Sequence, residues 1–158
     1  MSDLFFAGID PGAEGAIATI DEHGILLKAT AFDNMDFCTI SEAIKSYHCI
    51  RLLSLEKVSS MPKQGVASSF KFGLKYGYLQ GVLDAIESKY ILVTPKLWQK
   101  AILKGLNHGD KKIAQEYCRR KYGLEALKAT PRCRTPHSGI CDAICLAEYS
   151  RMKTEGAI

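Results

Sequence analysis

Three acidic residues stand where an acid needs a physical reason. Asp10 closes the apolar run LFFAGID (4–10), Glu56 lies near the end of IRLLSLEKV (50–58), and Asp142 sits among Ile140, Cys141, Ala143, Ile144 and Cys145. A carboxylate at the edge of a core is costly to desolvate unless it is paired or binds a cation. No lysine or arginine shares the run that ends in Asp10. Taken singly, each acid has an ordinary role. Asp10 can satisfy turn amides ahead of Pro11-Gly12, and Asp142 can favour the positive end of a helix. Taken together, two strand-end acids and one late helical acid suit a hard, oxygen-ligated divalent cation such as Mg²⁺ or Mn²⁺. Two such ions roughly 3.5–4 Å apart activate a water and stabilise the leaving oxygen of an in-line phosphodiester displacement, with no nucleophile from the protein. The chain has no GxSxG elbow, Walker A sequence or HExxH pair.

The elements that would position these acids follow from local pattern. LFFAGID is a continuous apolar run stopped by Asp-Pro-Gly, as expected of a buried central strand. GAIATID (15–21) and ILLKATAF (25–32) flank a turn and predict a hairpin. Ile40, Ala43, Ile44 and Tyr47 give residues 39–47 helical spacing. IRLLSLEKV is a second buried strand, closed by Met61-Pro62. The longest helix is expected from Val66 to about Ser88, with Val66, Phe70, Leu74, Tyr78, Val82 and Ala85 as its apolar positions. Gly73, Gly77 and Gly81 form a second stripe on it. A helix-interior glycine costs about 1 kcal/mol against alanine, so the stripe implies close approach of another backbone, either the sheet or a partner helix. YILVT (90–94) is a short strand, and Thr94-Pro95 starts a helix well. Residues 110–122 make a basic amphipathic helix, and a last helix runs to about Met152. A hairpin meander followed by strands alternating with helices predicts an α/β layered domain around a mixed sheet of about five strands.

Composition bounds the rest. The 158 residues fit a single domain, 1–158, with 47% hydrophobic and 24% charged residues. No apolar run approaches the roughly 20 residues that span a bilayer, and MSDLFFAGID has no basic leader, so neither a membrane segment nor a signal peptide is expected. Six cysteines lie without CxxC pairs and read as reduced packing thiols of a cytoplasmic protein, with zinc not expected. Net charge is only +4. Its distribution is uneven: eleven lysines and arginines fall between residues 96 and 134, against Asp110, Glu116 and Glu125. On charge alone that stretch serves equally as a solvated face or a phosphate-facing one.

GIDPG (8–12) followed by GAIA (15–18), LEKV (55–58) and HSGICDAICLA (137–147) resembles, in order and spacing, the RuvC-type Holliday-junction resolvases. MPKQGVASSFKFGLKYGYLQGVL (61–83), VTPKLWQKAI (93–102) and GDKK (109–112) are similar to the small RuvC-like endonucleases of bacteriophages. The resemblance covers about residues 4 to 150. It implies an RNase H-like fold, a homodimer, and Mg²⁺-dependent symmetric nicking of four-way or branched DNA in the cytoplasm of a bacterial or phage-infected cell. It implies two ions per site, with Mn²⁺ able to substitute, and no nucleotide cofactor. Asp10, Glu56 and Asp142 take the positions of catalytic metal ligands, and His137 is the candidate fourth. Lys104, Lys111 and Lys112 match a basic region near the scissile phosphate; Lys63, Lys71 and Lys75 join them as expected DNA contacts.

Two positions depart from the family pattern. Its usual fourth ligand falls three residues before the last acid, where this chain has Gly139. The aromatic that follows the strand glutamate in bacterial members, and acts against junction bases, is Ser59 here; Phe70 and Phe72 are the possible substitutes. The start of the last helix decides where His137 points. With Ser138 as cap, His137 lies outside the helix and can fold back toward Asp142. With Thr135 as cap and Pro136 first, His137 is helical and roughly 140° round from Asp142. Three other readings compete. A sugar-kinase or actin-like ATPase would need a second such domain and another phosphate loop. A related nuclease of ribosomal RNA precursors shares the same acids, and a non-catalytic junction-binding dimer would not need them.

Overall fold

The computed structural model describes residues 5–59, 65–106 and 112–158. Met61-Pro62, Lys63, Asn107-His108-Gly109 and Lys111 lie outside the described residues. One five-stranded sheet runs in the order β3-β2-β1-β4-β5, formed by β1 (Phe5–Asp10), β2 (Ala16–Ile20), β3 (Leu26–Ala31), β4 (Ile50–Glu56) and β5 (Tyr90–Val93). β1, β2 and β3 pair antiparallel, whereas β4 and β5 run parallel to β1, so the sheet is mixed as expected.

Side-chain size on the central strands decides what packs on each face. On one side Ala7, Ile9, Ile17, Leu53 and Leu55 pack against Ile40 and Ile44 of α1 (Phe37–Lys45) and Leu79, Val82 and Leu83 of α2 (Val66–Ala85). On the other side Ala16 and Ala18 present small surfaces to α5 (Ser138–Thr154), with α3 (Pro95–Ile102) and α4 (Ile113–Tyr122) closing the layer through Trp98, Ala114 and Cys118. Alternation of small and large residues along a strand thus yields a three-layer α/β/α stack. A short 3-10 turn at Glu125–Leu127 precedes α5.

Several boundaries differ from the pattern-based expectation. α1 starts and ends about two residues earlier, because the Asp36 side chain accepts the Thr39 amide at 2.7 Å and caps the helix. Tyr47 falls outside it and hydrogen-bonds Thr30 at 2.7 Å instead. Thr94 and Pro95 do begin α3, although the threonine side chain makes no capping bond.

The correction to α2 is larger. Val66, Phe70 and Leu74 are 89%, 71% and 52% exposed, so the N-terminal half of the helix presents an apolar face to solvent. A Cβ added at Gly73, Gly77 or Gly81 would meet nothing within 4 Å among the described residues. The glycine stripe therefore does not serve packing on the sheet; it faces outward. All six cysteines are unpaired, with Cys118, Cys141 and Cys145 buried between α4 and α5. Among the described residues no helix is long and apolar enough to cross a membrane.

Candidate active site

Asp10 is the last residue of β1 and Glu56 the last of β4. These strands are parallel neighbours with Ile9 opposite Leu55, so both carboxylates leave the same end of the sheet side by side. Asp142 comes from the second turn of α5. Its depth is set by Gly8, where a Cβ would fall 2.1 Å from the Ala143 carbonyl oxygen and 2.5 Å from the Ala147 nitrogen. Only a residue without a side chain lets the helix backbone press so closely on the central strand.

Local hydrogen bonds orient the acids. Asp10 Oδ1 accepts the Gly12 amide at 2.9 Å, which fixes the turn after β1. Trp98, 2% exposed, donates its indole Nε1–H to Glu56 Oε2 at 2.9 Å. Lys75 reaches across from α2 and donates to the Gly12 carbonyl at 2.7 Å. Its ammonium is lowered from the ordinary lysine value by burial, against the pull of Asp10 and Asp33.

The three acids feel one another's charge. Burial pushes Asp142 up to about 8, helped by the charges of Asp10 and Glu56. Burial likewise raises Glu56 to about 7, with the Trp98 donor opposing and Asp10 reinforcing. Asp10 is raised by burial too, opposed by the Gly12 amide and by Lys75 and His137. A cation would offset the desolvation and mutual repulsion that raise these carboxyls, and carboxylate oxygens are hard donors suited to a divalent one. Among the described residues no three His, Cys, Asp or Glu side chains stand close enough to hold one ion as they are. Coordination by all three would draw the carboxylates nearer to one another.

His137 is itself the N-cap of α5, a third solution beside the two starts considered from sequence. Its Nδ1 accepts the Ile140 amide at 3.1 Å, and its Nε2 lies 2.8 Å from Asp33 Oδ2. With Nδ1 accepting, Nε2 carries the proton and donates to Asp33. Neither nitrogen then offers a lone pair to a cation in this arrangement. Gly139 carries no acid, and the space beside it is filled by backbone: a Cβ there would fall 1.7 Å from the Glu14 carbonyl oxygen and 3.2 Å from Asp10 Oδ2.

Of the expected DNA-contacting lysines, Lys71, Lys104 and Lys112 are exposed, while Lys75 is partly buried beside Asp10. Lys63 and Lys111 lie outside the described residues. Reading the sequence did not single out Trp98, Asp33 or Glu14. The lone tryptophan, one turn into a well-started helix, was the available signal, since a buried indole N–H needs an acceptor.

No family model matches this sequence, and no curated protein matches it either. Solved structures do. The Thermus thermophilus RuvC structure aligns over 96% of this chain and 96% of its own, at 18% identity and a TM-score of 0.64. T. thermophilus RuvC in complex with Holliday junction substrate aligns over 97% of this chain and 96% of its own, at 16% identity and a TM-score of 0.67. The chain therefore has the RuvC fold, the RNase H-like fold expected from sequence.

Proposed function

We propose that the chain is a divalent-metal-dependent endonuclease that cuts four-way or other branched DNA, a single nuclease domain acting as a homodimer. The observation that carries this reading is the grouping of Asp10, Glu56 and Asp142, three partly buried carboxylates that feel one another's charge, two at the ends of adjacent parallel strands and one on α5. It receives support from the RuvC fold, one of whose structures holds a Holliday junction.

In this reading Asp10, Glu56 and Asp142 hold Mg²⁺, two ions per site, with Mn²⁺ able to substitute. Such ions supply Lewis acidity and neutralise charge in an in-line displacement at phosphorus. The chain's own residues do the rest. The Trp98 indole fixes one oxygen of Glu56. The Gly12 amide and the Lys75 ammonium hold the turn that aims Asp10. His137, through its cap and its bond to Asp33, fixes the first turn of α5 and with it Asp142, a positioning role rather than a ligand's.

Phosphates are held by the exposed lysines, Lys71, Lys104 and Lys112, with Lys63 and Lys111 assigned to the same surface by the family resemblance alone. Phe70, exposed on the outer half of α2, presents a ring suited to stacking on bases splayed at a branch point. The open glycine face of α2 is the proposed dimer contact, and a two-fold pair would present two sites to two symmetric strands.

The test is cleavage of a synthetic four-way junction with and without Mg²⁺, beside linear duplex and structured RNA of matched length. Paired nicks in the junction that require Mg²⁺ are expected. Cleavage of the RNA in preference to the junction, or no cleavage of any substrate, would refute the proposal.

A further inference from the structure

We propose that the cleft between α4 and the segment leading into α5 holds the sugar-phosphate backbone of a DNA arm; this rests on the branched-DNA reading above. Lys112, at the N-cap of α4, forms one wall with Gln115 and Arg119, three and seven residues on and so on one helix face. Thr135 and Pro136 form the other wall. The cleft has a volume of about 530 Å³, which suits a ligand of several linked groups rather than one ion. From Lys112 to Arg119 the helix rises roughly 10 Å, the axial length of about three nucleotides in one strand of a duplex.

The charge of the cleft is positive. Arg119 is exposed, and its side chain has no hydrogen bond or ion pair among the described residues. Glu116, the acid of the lining, is bound by Arg120 Nε at 2.9 Å, so Lys112 and Arg119 leave an excess of cation. Arg132 and Arg134, both exposed, extend that charge along the segment of the second wall. An ammonium, a guanidinium, an amide and a hydroxyl together make a donor set for phosphate oxygens. The lining has no aromatic ring among the described residues, so a base finds nothing there to stack on. Backbone, not bases, is what the cleft matches.

Both walls are fixed by the fold. Ala114 and Cys118 bury the inner face of α4 in the core it shares with α5. The second wall is tied back by the His137 amide, which donates to the Leu127 carbonyl at 2.8 Å, and by the Cys133 amide, which donates to the Thr130 carbonyl at 3.0 Å. Pro136 is followed directly by His137, the cap of α5. A strand held in the cleft is thus fixed relative to the helix that carries Asp142. The competing explanation is a solvated basic face, which would act only through the total charge of the protein.

The experiment is equilibrium binding of a labelled synthetic four-way junction to the full chain in chelator, over a series of salt concentrations. Arg119→Gln removes one charge from the cleft, keeps a long polar side chain and breaks no ion pair. Lys153→Gln removes one exposed charge near the C-terminal end of α5 instead. Arg119→Gln should lower the slope of log affinity against log salt by about 1 with an unchanged melting temperature, whereas Lys153→Gln should leave the slope as it is. An unchanged slope in Arg119→Gln, or an equal drop in both variants, would overturn the inference while junction binding by the wild type stands. Poly-glutamate that loses as much affinity for Arg119→Gln as the junction does would assign the cleft to an acidic polypeptide and overturn it too. No binding of the junction by the wild type would overturn the branched-DNA reading as well.

Discussion

Asp142 and Glu56 keep their protons to about 8 and about 7 because burial and neighbouring charge oppose ionisation. A carboxyl whose folded value is raised stabilises the fold below its unfolded value and loses that contribution as pH rises through the folded one. In chelator, the melting temperature should therefore fall between about pH 5 and about pH 9, and Asp142→Asn should remove much of that slope. A pH-independent melting temperature in the wild type would show that partial burial and mutual charge do not hold these protons on. Trp98→Phe removes the donor that opposes the shift, so it should move the Glu56 transition to still higher pH, followed by carboxyl infrared absorption. Asp10, Glu56 and Asp142 were legible in the sequence because each is a charge set in an apolar run. The partners that aim them were not. Lys75 and Gly12 are 63 residues apart, and His137 and Asp33 are 104 apart, so only the closed fold brings them into contact.

At the scale of elements, β1 and α5 set the geometry, and Gly8 is where they touch. Gly8→Ala would drive a methyl into the Ala143 carbonyl, and urea unfolding should show a loss of about 3 kcal/mol or more. Near-wild-type stability would mean that the helix can lift from the strand without cost. Glu148, 2% exposed on α5, binds Lys121, Tyr122 and Arg151 and so ties α4 to α5. Its replacement by alanine should cost about 2–3 kcal/mol, less than a fully buried pair because both cations still reach water. Strand positions and the late helix followed from hydrophobic runs and caps. The sequence pattern of α2 was misleading for a physical reason. Helical periodicity marks an apolar face but not what covers it, and here Val66, Phe70 and Leu74 are exposed and the glycines meet nothing among the described residues. Gly73→Ala with Gly77→Ala should raise intrinsic helix stability by up to about 1 kcal/mol per site, yet dissociate the proposed dimer in sedimentation. A doubly substituted chain that still sediments at twice the monomer mass would place the dimer contact elsewhere.

At the scale of the whole molecule, the acids occupy one end of the sheet, and the exposed lysines belong to α2 and to the segment between α3 and α4. Binding through phosphates releases counterions, so junction affinity should fall steeply with salt, and neutralising Lys104 and Lys112 together should flatten the slope by roughly 1 per lost contact. The net charge of +4 concealed this arrangement, because it averages a basic segment with acids gathered elsewhere. The central claim is that one cluster cuts while a separate surface binds. It is tested most directly by measuring junction binding and Mg²⁺-dependent junction cleavage side by side for the wild type and Asp142→Asn. For Asp142→Asn, junction affinity within a few-fold of wild type and cleavage lower by orders of magnitude are expected. Cleavage at the wild-type rate by a folded Asp142→Asn protein would contradict that claim.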